Sequence, residues 1–356
     1  MLPPEYRVTL KVAEAYVHDC LDAGLVPILR GSPALGKSAM AAAVARHRNL
    51  KLIDERFAGY DPTDMNGFPD LDREKGIAKY FPLETFPLDD AELPINPETN
   101  EPYAGWLILA DELTSAVGAV QAASYKFFLD RKVGQRSLHP QAHIMAAGNL
   151  AEDAAIVHDM STALISRLIN IHVVLSQKEW MDWAISEGNI HSLITSFIDY
   201  RGAEFFYTFN PENADIPFAA SRTWEFASKL VHVWAKKGTA ISSRTALLAG
   251  TIGPGAAAAL VGFAATWGKL PPLSEILANP EQCRLPSEPG AQYAMTGAIG
   301  DWATADNLPK LIKYFSRMRP DLQVLTFRNI NGRHADLKTH PDALAWMQDN
   351  MELFLG

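Results

Sequence analysis

The chain of 356 residues is long enough for more than one domain, and its 48% apolar and 21% charged residues are typical of a folded globular protein rather than a disordered one. Its formal net charge of −9 argues against a broad electrostatic surface for nucleic acid, although a local basic channel is compatible with it. Cys20 and Cys283 lie far apart and outside any metal-ligand spacing, which predicts two small buried side chains in a reducing compartment.

The N-terminal residues contain no basic segment followed by an apolar core, so a secretory signal is not expected. The most apolar stretch, residues 251–267, is short and rich in glycine and alanine, and Pro254 interrupts it. This composition predicts a packed helix pair rather than a membrane span. We therefore expect a cytoplasmic protein with no membrane partner.

The first half of the chain alternates helical and extended patterns. Apolar residues recur at helical spacing over residues 8–25 and predict one buried stripe: Val8, Val12, Tyr16 and Cys20. Five short apolar segments are predicted strands: residues 25–31, 50–57, 106–111, 143–149 and 168–174. Helices are predicted over residues 37–47 and 119–130. Strands that alternate with helices predict right-handed βαβ units and a parallel sheet.

The second half of the chain is predicted to be helical. Residues 82–105, rich in proline and acidic residues, predict an exposed loop or hairpin before the third strand. Beyond Ser176 strand patterns nearly vanish, and four helices are predicted: residues 178–186, 190–200, 222–234 and 309–318. Residues 271–289 are predicted to be a proline-rich linker. The predicted fold class is α/β, in three parts: a parallel-sheet core with helices on both faces (residues 1–175), a helical lid (176–270) and a helical C-terminal extension (271–356).

Residues 31–38 read G-S-P-A-L-G-K-S, a complete match to the phosphate-binding pattern G-x-x-x-x-G-K-[ST]. A strand pattern precedes the match and a helix pattern begins at Lys37, a context that disfavours a chance glycine-rich turn. Backbone N–H groups of such a loop surround an anion. We predict that Lys37 contacts the β- and γ-phosphates and that the Ser38 hydroxyl binds Mg²⁺. The predicted nucleotide-binding residues of this segment are Gly31, Ser32, Pro33, Ala34, Leu35, Gly36, Lys37, Ser38 and Ala39.

Asp111 and Glu112 follow the apolar segment WLILA at the carboxyl end of the third predicted strand, which is where open α/β sheets bind ligands. Taken alone, the pair is equally compatible with an acidic turn. After a phosphate loop, with enough chain between for a helix and a strand, the pair predicts Asp111 as a ligand of the nucleotide's Mg²⁺. Glu112 is then predicted to polarise the attacking water.

Three further polar residues are candidates for contacts with the γ-phosphate. Asn149 ends the fourth predicted strand, and its amide can bind both phosphate and water, the alternative being a turn after Gly148. Arg167 precedes the fifth strand, and its guanidinium can neutralise transition-state charge in its own subunit or in a neighbour. Arg222 opens a predicted helix and can reach a nucleotide from a mobile lid. A surface ion pair and a solvated helix start are the respective alternatives for the two arginines.

These five motifs, in this order over residues 25–229, resemble those of the AAA+ ATPases and of their MoxR branch in particular. GSPALGKS resembles Walker A, LILADE Walker B, AAGN sensor 1, SRL the arginine-finger segment and ASR sensor 2. Residues 59–70 are similar to the segment that follows the second core strand in MoxR-type proteins. The remainder is similar to the family only in being helical, and loosely resembles ATPases of phage and prophage clusters.

The resemblance implies a ring, commonly a hexamer, that binds ATP with Mg²⁺ between subunits and hydrolyses it to ADP and phosphate. It implies that Arg167 acts on the γ-phosphate of the neighbouring subunit and that Arg222 reports the nucleotide state from the lid. MoxR-type ATPases typically remodel other proteins as chaperones do, often with a partner that carries a von Willebrand A-type domain.

Two other functions are compatible with the same motifs. A nucleic-acid motor or clamp-loader-like ATPase is the first, and the acidic balance and the lack of a recognisable helix-turn-helix or zinc module argue against it. A nucleotide-gated scaffold with negligible turnover is the second, and the intact Asp111–Glu112 pair argues against it.

The sequence departs from the family pattern at two places. Ala34 stands where the family often has glycine. Residues 77–105 are unlike the usual family insertion, so Tyr80 and Phe81 have two interpretations: they face a central pore and bind substrate, or they lie in the core, which is the preferred interpretation. The histidines show no HExxH spacing, so no metal site other than that for Mg²⁺ is expected.

Overall fold

A computed structural model describes residues 3–150, 158, 160–213 and 215–354 of the chain. The chain divides into two compact units. The first unit comprises Met1–Ser176 with Asn210–Glu212, and the second unit comprises Gln177–Phe209 with Asn213–Gly356. The further division of the helical half at residue 270 stays a prediction.

The first unit is organised by a six-stranded sheet in which every neighbouring pair of strands is parallel. The strands of the unit are β1 (Val8–Thr9), β2 (Pro27–Arg30), β3 (Leu50–Arg56), β4 (Phe68–Asp72), β5 (Ile77–Phe81), β6 (Gly105–Asp111), β7 (Lys132–Val133), β8 (Arg136–Ser137), β9 (Ala142–Gly148) and β10 (Ile169–Val174). The sheet has the order β1-β10-β2-β9-β6-β3, and β4–β5 and β7–β8 are separate antiparallel pairs. The five predicted strands and the α/β fold class are confirmed.

Six α-helices surround the sheet or connect its strands in the described part of the first unit. They are α1 (Leu10–Asp22), α2 (Lys37–His47), α3 (Pro62–Asn66), α4 (Gly118–Ala123), α5 (Tyr125–Asp130) and α6 (Thr162–Ile165). The predicted helix over residues 37–47 is confirmed, whereas the one predicted over residues 119–130 consists of the two short helices α4 and α5, which meet at Ser124.

The buried stripe predicted for the first helix is confirmed at Cys20 and wrong at the other three positions. Val8 lies in strand β1, where it pairs with Val173 of β10, and the helix begins only at Leu10. Val12 and Tyr16 are 40% and 46% exposed. The buried face of α1 is rotated by one position and carries Ala13, Val17, Cys20 and Leu21. The helical pattern cannot be extended back to Val8, because this residue lies in the edge strand β1 and not in the helix.

The order of the strands determines where the candidate functional residues meet. Strand β2 lies between β10 and β9, and β6 lies between β9 and β3. In the register of these pairs, Arg30 lies opposite Gly148, and Arg56 lies opposite Asp111. Strand β6 is buried along its whole length. Because all strands run in one direction, the carboxyl ends of β2, β3, β6 and β9 lie along the same edge of the sheet.

The segment before β6 contains an exposed hairpin. Strands β4 and β5 form it over residues 68–81, before the proline-rich stretch, and residues 82–104 contain no described helix or strand. Tyr80 and Phe81 are 43% and 56% exposed. The interpretation of these two aromatic residues as part of the core is therefore wrong.

In the second unit the described residues form helices and no strands. These helices are α7 (Gln177–Ser186), α8 (Ser192–Phe205), α9 (Ser221–Lys237), α10 (Thr245–Ile252), α11 (Pro254–Trp267), α12 (Leu273–Ala278), α13 (Pro289–Trp302), α14 (Leu308–Phe315), α15 (Pro320–Arg333) and α16 (Pro341–Asp349). The predicted helix pair is α10 and α11, which pack against each other and are separated by Gly253 at a φ of 84°. The predicted linker over residues 271–289 is not wholly irregular, because it contains α12.

The composition led to predictions about the two cysteines and about a membrane span. Cys20 and Cys283 are both buried and unpaired, as predicted. Among the helices in the described ranges, none combines the length and the apolar character needed to cross a membrane.

Candidate functional site

The predicted phosphate loop connects the carboxyl end of β2 to the first turn of α2. Gly36 has a left-handed φ of 102°, which glycine adopts without steric cost. At Gly31 a Cβ atom would lie 2.6 Å from the side chain of Val173, so only glycine fits there without a shift. Ala34 also has a left-handed φ, of 60°. This conformation costs an alanine about 1 kcal/mol and explains why glycine suits the position. The loop conformation thus depends on Gly31 for space and on Gly36 for its backbone angle.

Lys37, the first residue of α2, turns its side chain back onto the loop. Only 8% of the residue is exposed. Its Nζ donates hydrogen bonds to the carbonyl oxygens of Gly31 (2.6 Å) and Ser32 (2.9 Å) and to Oδ1 of Asn149 (3.0 Å). A buried cation is stabilised by hydrogen-bond acceptors and by negative charge. An anion bound in the loop would add negative charge beside the ammonium group.

Ser38 and Asp111 form the second contact of the site. The Ser38 hydroxyl donates a hydrogen bond of 2.6 Å to Oδ2 of Asp111, which is the last residue of β6 and only 4% exposed. Neighbouring ligands of an octahedral Mg²⁺ ion lie about 2.9 Å apart, since each lies 2.0–2.1 Å from the metal. The hydroxyl and carboxylate oxygens are hard ligands at nearly this separation. The pair therefore fits Mg²⁺ with a small outward movement of the two oxygens.

Glu112 follows Asp111 in a left-handed conformation, with φ of 57°. Its backbone N–H donates to the other carboxylate oxygen of Asp111, Oδ1, at 2.8 Å. Its side chain is 44% exposed, in contrast to the buried Asp111 carboxylate. The two acids are thus presented differently: one is held inside the sheet edge and the other faces solvent, where a water molecule can reach it.

Asn149 directly follows strand β9 and contacts the loop through Lys37. Its carbonyl oxygen accepts a hydrogen bond of 3.2 Å from the hydroxyl of Thr114, which is fully buried. A Cβ atom at Gly148 would lie 2.5 Å from the same threonine side chain. Thr114 and Gly148 therefore hold the end of β9 against the turn that follows Glu112, so that the Asn149 amide lies beside the lysine.

Arg56 is a residue of the site that the sequence analysis missed. It is the last residue of β3, and its guanidinium lies 2.8 Å from Oδ2 of Asp111 and 3.5 Å from Oε1 of Glu112. It also lies 3.4 Å from Asp54. Burial raises the pKa of Asp54, while Arg56 lowers it and Asp111 raises it further. Because Oδ2 of Asp111 accepts from both Ser38 and Arg56, a metal ion at this oxygen competes with the guanidinium.

The remaining two predicted site residues are Arg167 and Arg222. Arg167 follows α6 and is exposed, and its guanidinium donates to the carbonyl oxygen of Ala163 (2.6 Å) and lies 5.9 Å from the centre of the Tyr125 ring. None of its described contacts is with the phosphate loop or with Asp111. Arg222 is the second residue of α9 in the second unit and is exposed, so the predicted helix start is correct. Its role at a nucleotide stays a prediction.

The comparisons with known proteins are distant. No protein-family model matches the chain, and no curated protein matches it either. Among solved structures, the chain is similar to a "putative ATPase" from Cytophaga hutchinsonii ATCC 33406, at 14% sequence identity and a TM-score of 0.35, over 98% of this chain and 90% of that chain. So remote a similarity carries no argument about chemistry.

Replacing Arg56 by alanine is expected to strengthen the binding of a divalent cation. The substitution removes a positive charge from the Asp111 carboxylate, and a half-exposed ion pair of this kind contributes up to about 1 kcal/mol, which corresponds to roughly two- to fivefold in affinity. Titration with Mn²⁺, followed by the electron paramagnetic resonance signal of the free ion, measures the change. Arg136→Ala is the matched control, because Arg136 pairs with Asp89 and Asp90 instead. Equal affinities in Arg56→Ala and the unchanged protein would show that the guanidinium does not compete with the metal.

Proposed function

We propose that the first unit binds a nucleoside triphosphate with Mg²⁺ and hydrolyses it, and that the protein is an ATPase. The observation that supports this most strongly is the meeting of three distant segments at one sheet edge. Lys37 contacts Asn149, which is 112 residues away, and Ser38 contacts Asp111, which is 73 residues away. A chance match to the phosphate-loop pattern would not place a metal-binding carboxylate and a neutral amide beside the lysine and the serine.

Each group has a defined part in the proposed reaction. The loop amides and the start of α2 hold the phosphates, and the Lys37 cation neutralises their charge. Ser38 and Asp111 would hold Mg²⁺, and the ion would supply electrostatic stabilisation of the phosphate oxygens. Glu112 accepts a proton from the attacking water, since its carboxylate is exposed and adjacent to the metal ligand. The Asn149 amide orients the water and the γ-phosphate without adding charge.

The finer part of the proposal is that the protein is a MoxR-type AAA+ ATPase that forms a ring, commonly hexameric, and remodels a partner protein. It is supported by the order of the five motifs and by the helical second unit that follows an α/β first unit. Arg167 is exposed and its described contacts are local, which suits an arginine that acts on a neighbouring subunit. A cytoplasmic location and a partner with a von Willebrand A-type domain belong to the same proposal.

The variant Glu112→Gln is expected to bind ATP as the unchanged protein does but to hydrolyse it about a hundredfold or more slowly, because an amide cannot accept the proton of the water. Phosphate release measures turnover, and equilibrium binding of a fluorescent ATP analogue measures affinity. Glu55→Gln is the matched control, since the Glu55 carboxylate accepts a hydrogen bond from Tyr60 rather than facing the metal ligands. Near-normal turnover in Glu112→Gln would show that another group activates the water.

The variant Arg167→Ala is expected to lose turnover by about a thousandfold while retaining nucleotide binding, as for other arginines that act on a transferred phosphoryl group. Mixed with a Lys37→Ala variant, which is itself inactive, it should regain part of the activity. In mixed rings an intact phosphate loop would lie beside a neighbour that supplies Arg167.

Arg201→Ala is the control for the loss of an exposed arginine packed on an aromatic ring, because Arg201 lies 5.9 Å from the Tyr200 ring, the same distance as Arg167 from Tyr125. Two inactive variants that stay inactive on mixing would contradict the action of Arg167 across subunits.

A further inference from the structure

Three side chains that can bind a metal ion meet between α1 and α2. Glu14 and His18 lie one helical turn apart on α1, and His47 is the last residue of α2. Oε1 of Glu14 lies 3.0 Å from Nδ1 of His47 and 4.0 Å from Nε2 of His18. One ligand atom from each of the three residues lies within 4.8 Å of those of the other two. The three side chains therefore converge on a single point.

The donor set and its dimensions suit a small transition-metal ion. Two imidazole nitrogens and one carboxylate oxygen form a ligand set that Zn²⁺ accepts, with a fourth position left for water. In a tetrahedral zinc site with bonds of 2.0–2.2 Å, neighbouring ligand atoms lie about 3.3–3.6 Å apart. The separations of 3.0 and 4.0 Å from Glu14 bracket this range, and the two imidazole nitrogens lie within 4.8 Å of each other, so side-chain rotations must bring the three ligand atoms to their final spacing.

The charges around the three residues act in two directions. His47 is at the carboxyl end of α2, where the backbone carbonyl groups favour a cation. Arg48 opposes a cation, and one of its N–H groups lies 3.3 Å from Nδ1 of His18. A metal on Nε2 of His18 requires a proton on Nδ1, so Arg48 must release this nitrogen. Asp22 already accepts a hydrogen bond from the other end of the same guanidinium and can retain it.

We propose that Glu14, His18 and His47 form a binding site for a zinc-like divalent transition-metal ion, with water as the fourth ligand. The metal ties the last residue of α2 to α1. Helix α2 has 11 residues and begins at Lys37, so the site lies about 15 Å from the phosphate loop and is separate from the position proposed for Mg²⁺. A metal site other than that for Mg²⁺ was not expected from the sequence, and its function here is to fix the far end of the helix that carries the phosphate-binding lysine.

The test uses the full chain without a histidine tag, stripped of metal by a chelator and kept free of nucleotide. Calorimetry with Zn²⁺ and the visible absorption of Co²⁺, which takes the same ligands, measure stoichiometry and geometry. The unchanged protein should bind one ion with four-coordinate Co²⁺ absorption, apart from any ion held by the oxygen ligands of Ser38 and Asp111. His18→Ala and His47→Ala should each weaken binding about tenfold or more. Arg48→Gln should strengthen it, and the control His340→Ala, in the second unit, should leave it unchanged.

Several results would contradict the proposed metal site. Absence of saturable binding by the unchanged protein, or equal binding by it and by the His18→Ala/His47→Ala double variant, would overturn the proposal. Weaker binding by Arg48→Gln would contradict the use of Nε2 of His18. Circular dichroism establishes that each variant is folded, and Glu14→Gln removes one ligand charge while keeping the shape of the side chain. None of these readouts depends on nucleotide hydrolysis, so the proposed ATPase function can fail without affecting this result.

Discussion

The buried ammonium group of Lys37 determines the arrangement of the candidate site. This group is largely shielded from solvent and donates hydrogen bonds to two carbonyl oxygens of the loop and to the side chain of Asn149. One cation thereby joins the loop after β2 to the end of the neighbouring strand β9. Because a buried charge is costly to desolvate, these bonds hold the lysine in place. A phosphate group in the loop would add negative charge beside this cation.

The Asp111 carboxylate joins several elements of the site around the proposed position of the metal ion. One of its oxygens accepts from both Ser38 and Arg56, and the other accepts the backbone N–H of Glu112. A metal ion at the shared oxygen would displace the guanidinium and weaken its attraction to Glu112. Binding of a metal ion at Asp111 would therefore weaken the ion pair between Arg56 and Glu112, the carboxylate proposed to activate water.

Much of this site could be predicted from the sequence because local patterns encode it. Residues 31–38 form the loop from consecutive positions, Asp111 ends one short apolar strand, and Asn149 follows another. Arg56 could not be predicted in this way, since it meets Asp111 only through the register of β3 with β6, which the whole sheet determines. His47 meets Glu14 and His18 through the packing of two helices. The buried face of α1 was wrongly predicted for a similar reason, because Val8 belongs to a strand that pairs with the distant β10.

The central claim is that the loop and its lysine bind the phosphates of a nucleotide. Isothermal titration calorimetry with Mg·ATP on the purified protein tests it most directly, beside Lys37→Ala and a control, Lys126→Ala, that removes a lysine elsewhere in the first unit. Saturable binding that persists in the control and is lost in Lys37→Ala is the result that we expect. Absence of binding by the unchanged protein, or equal binding in Lys37→Ala, would contradict the account.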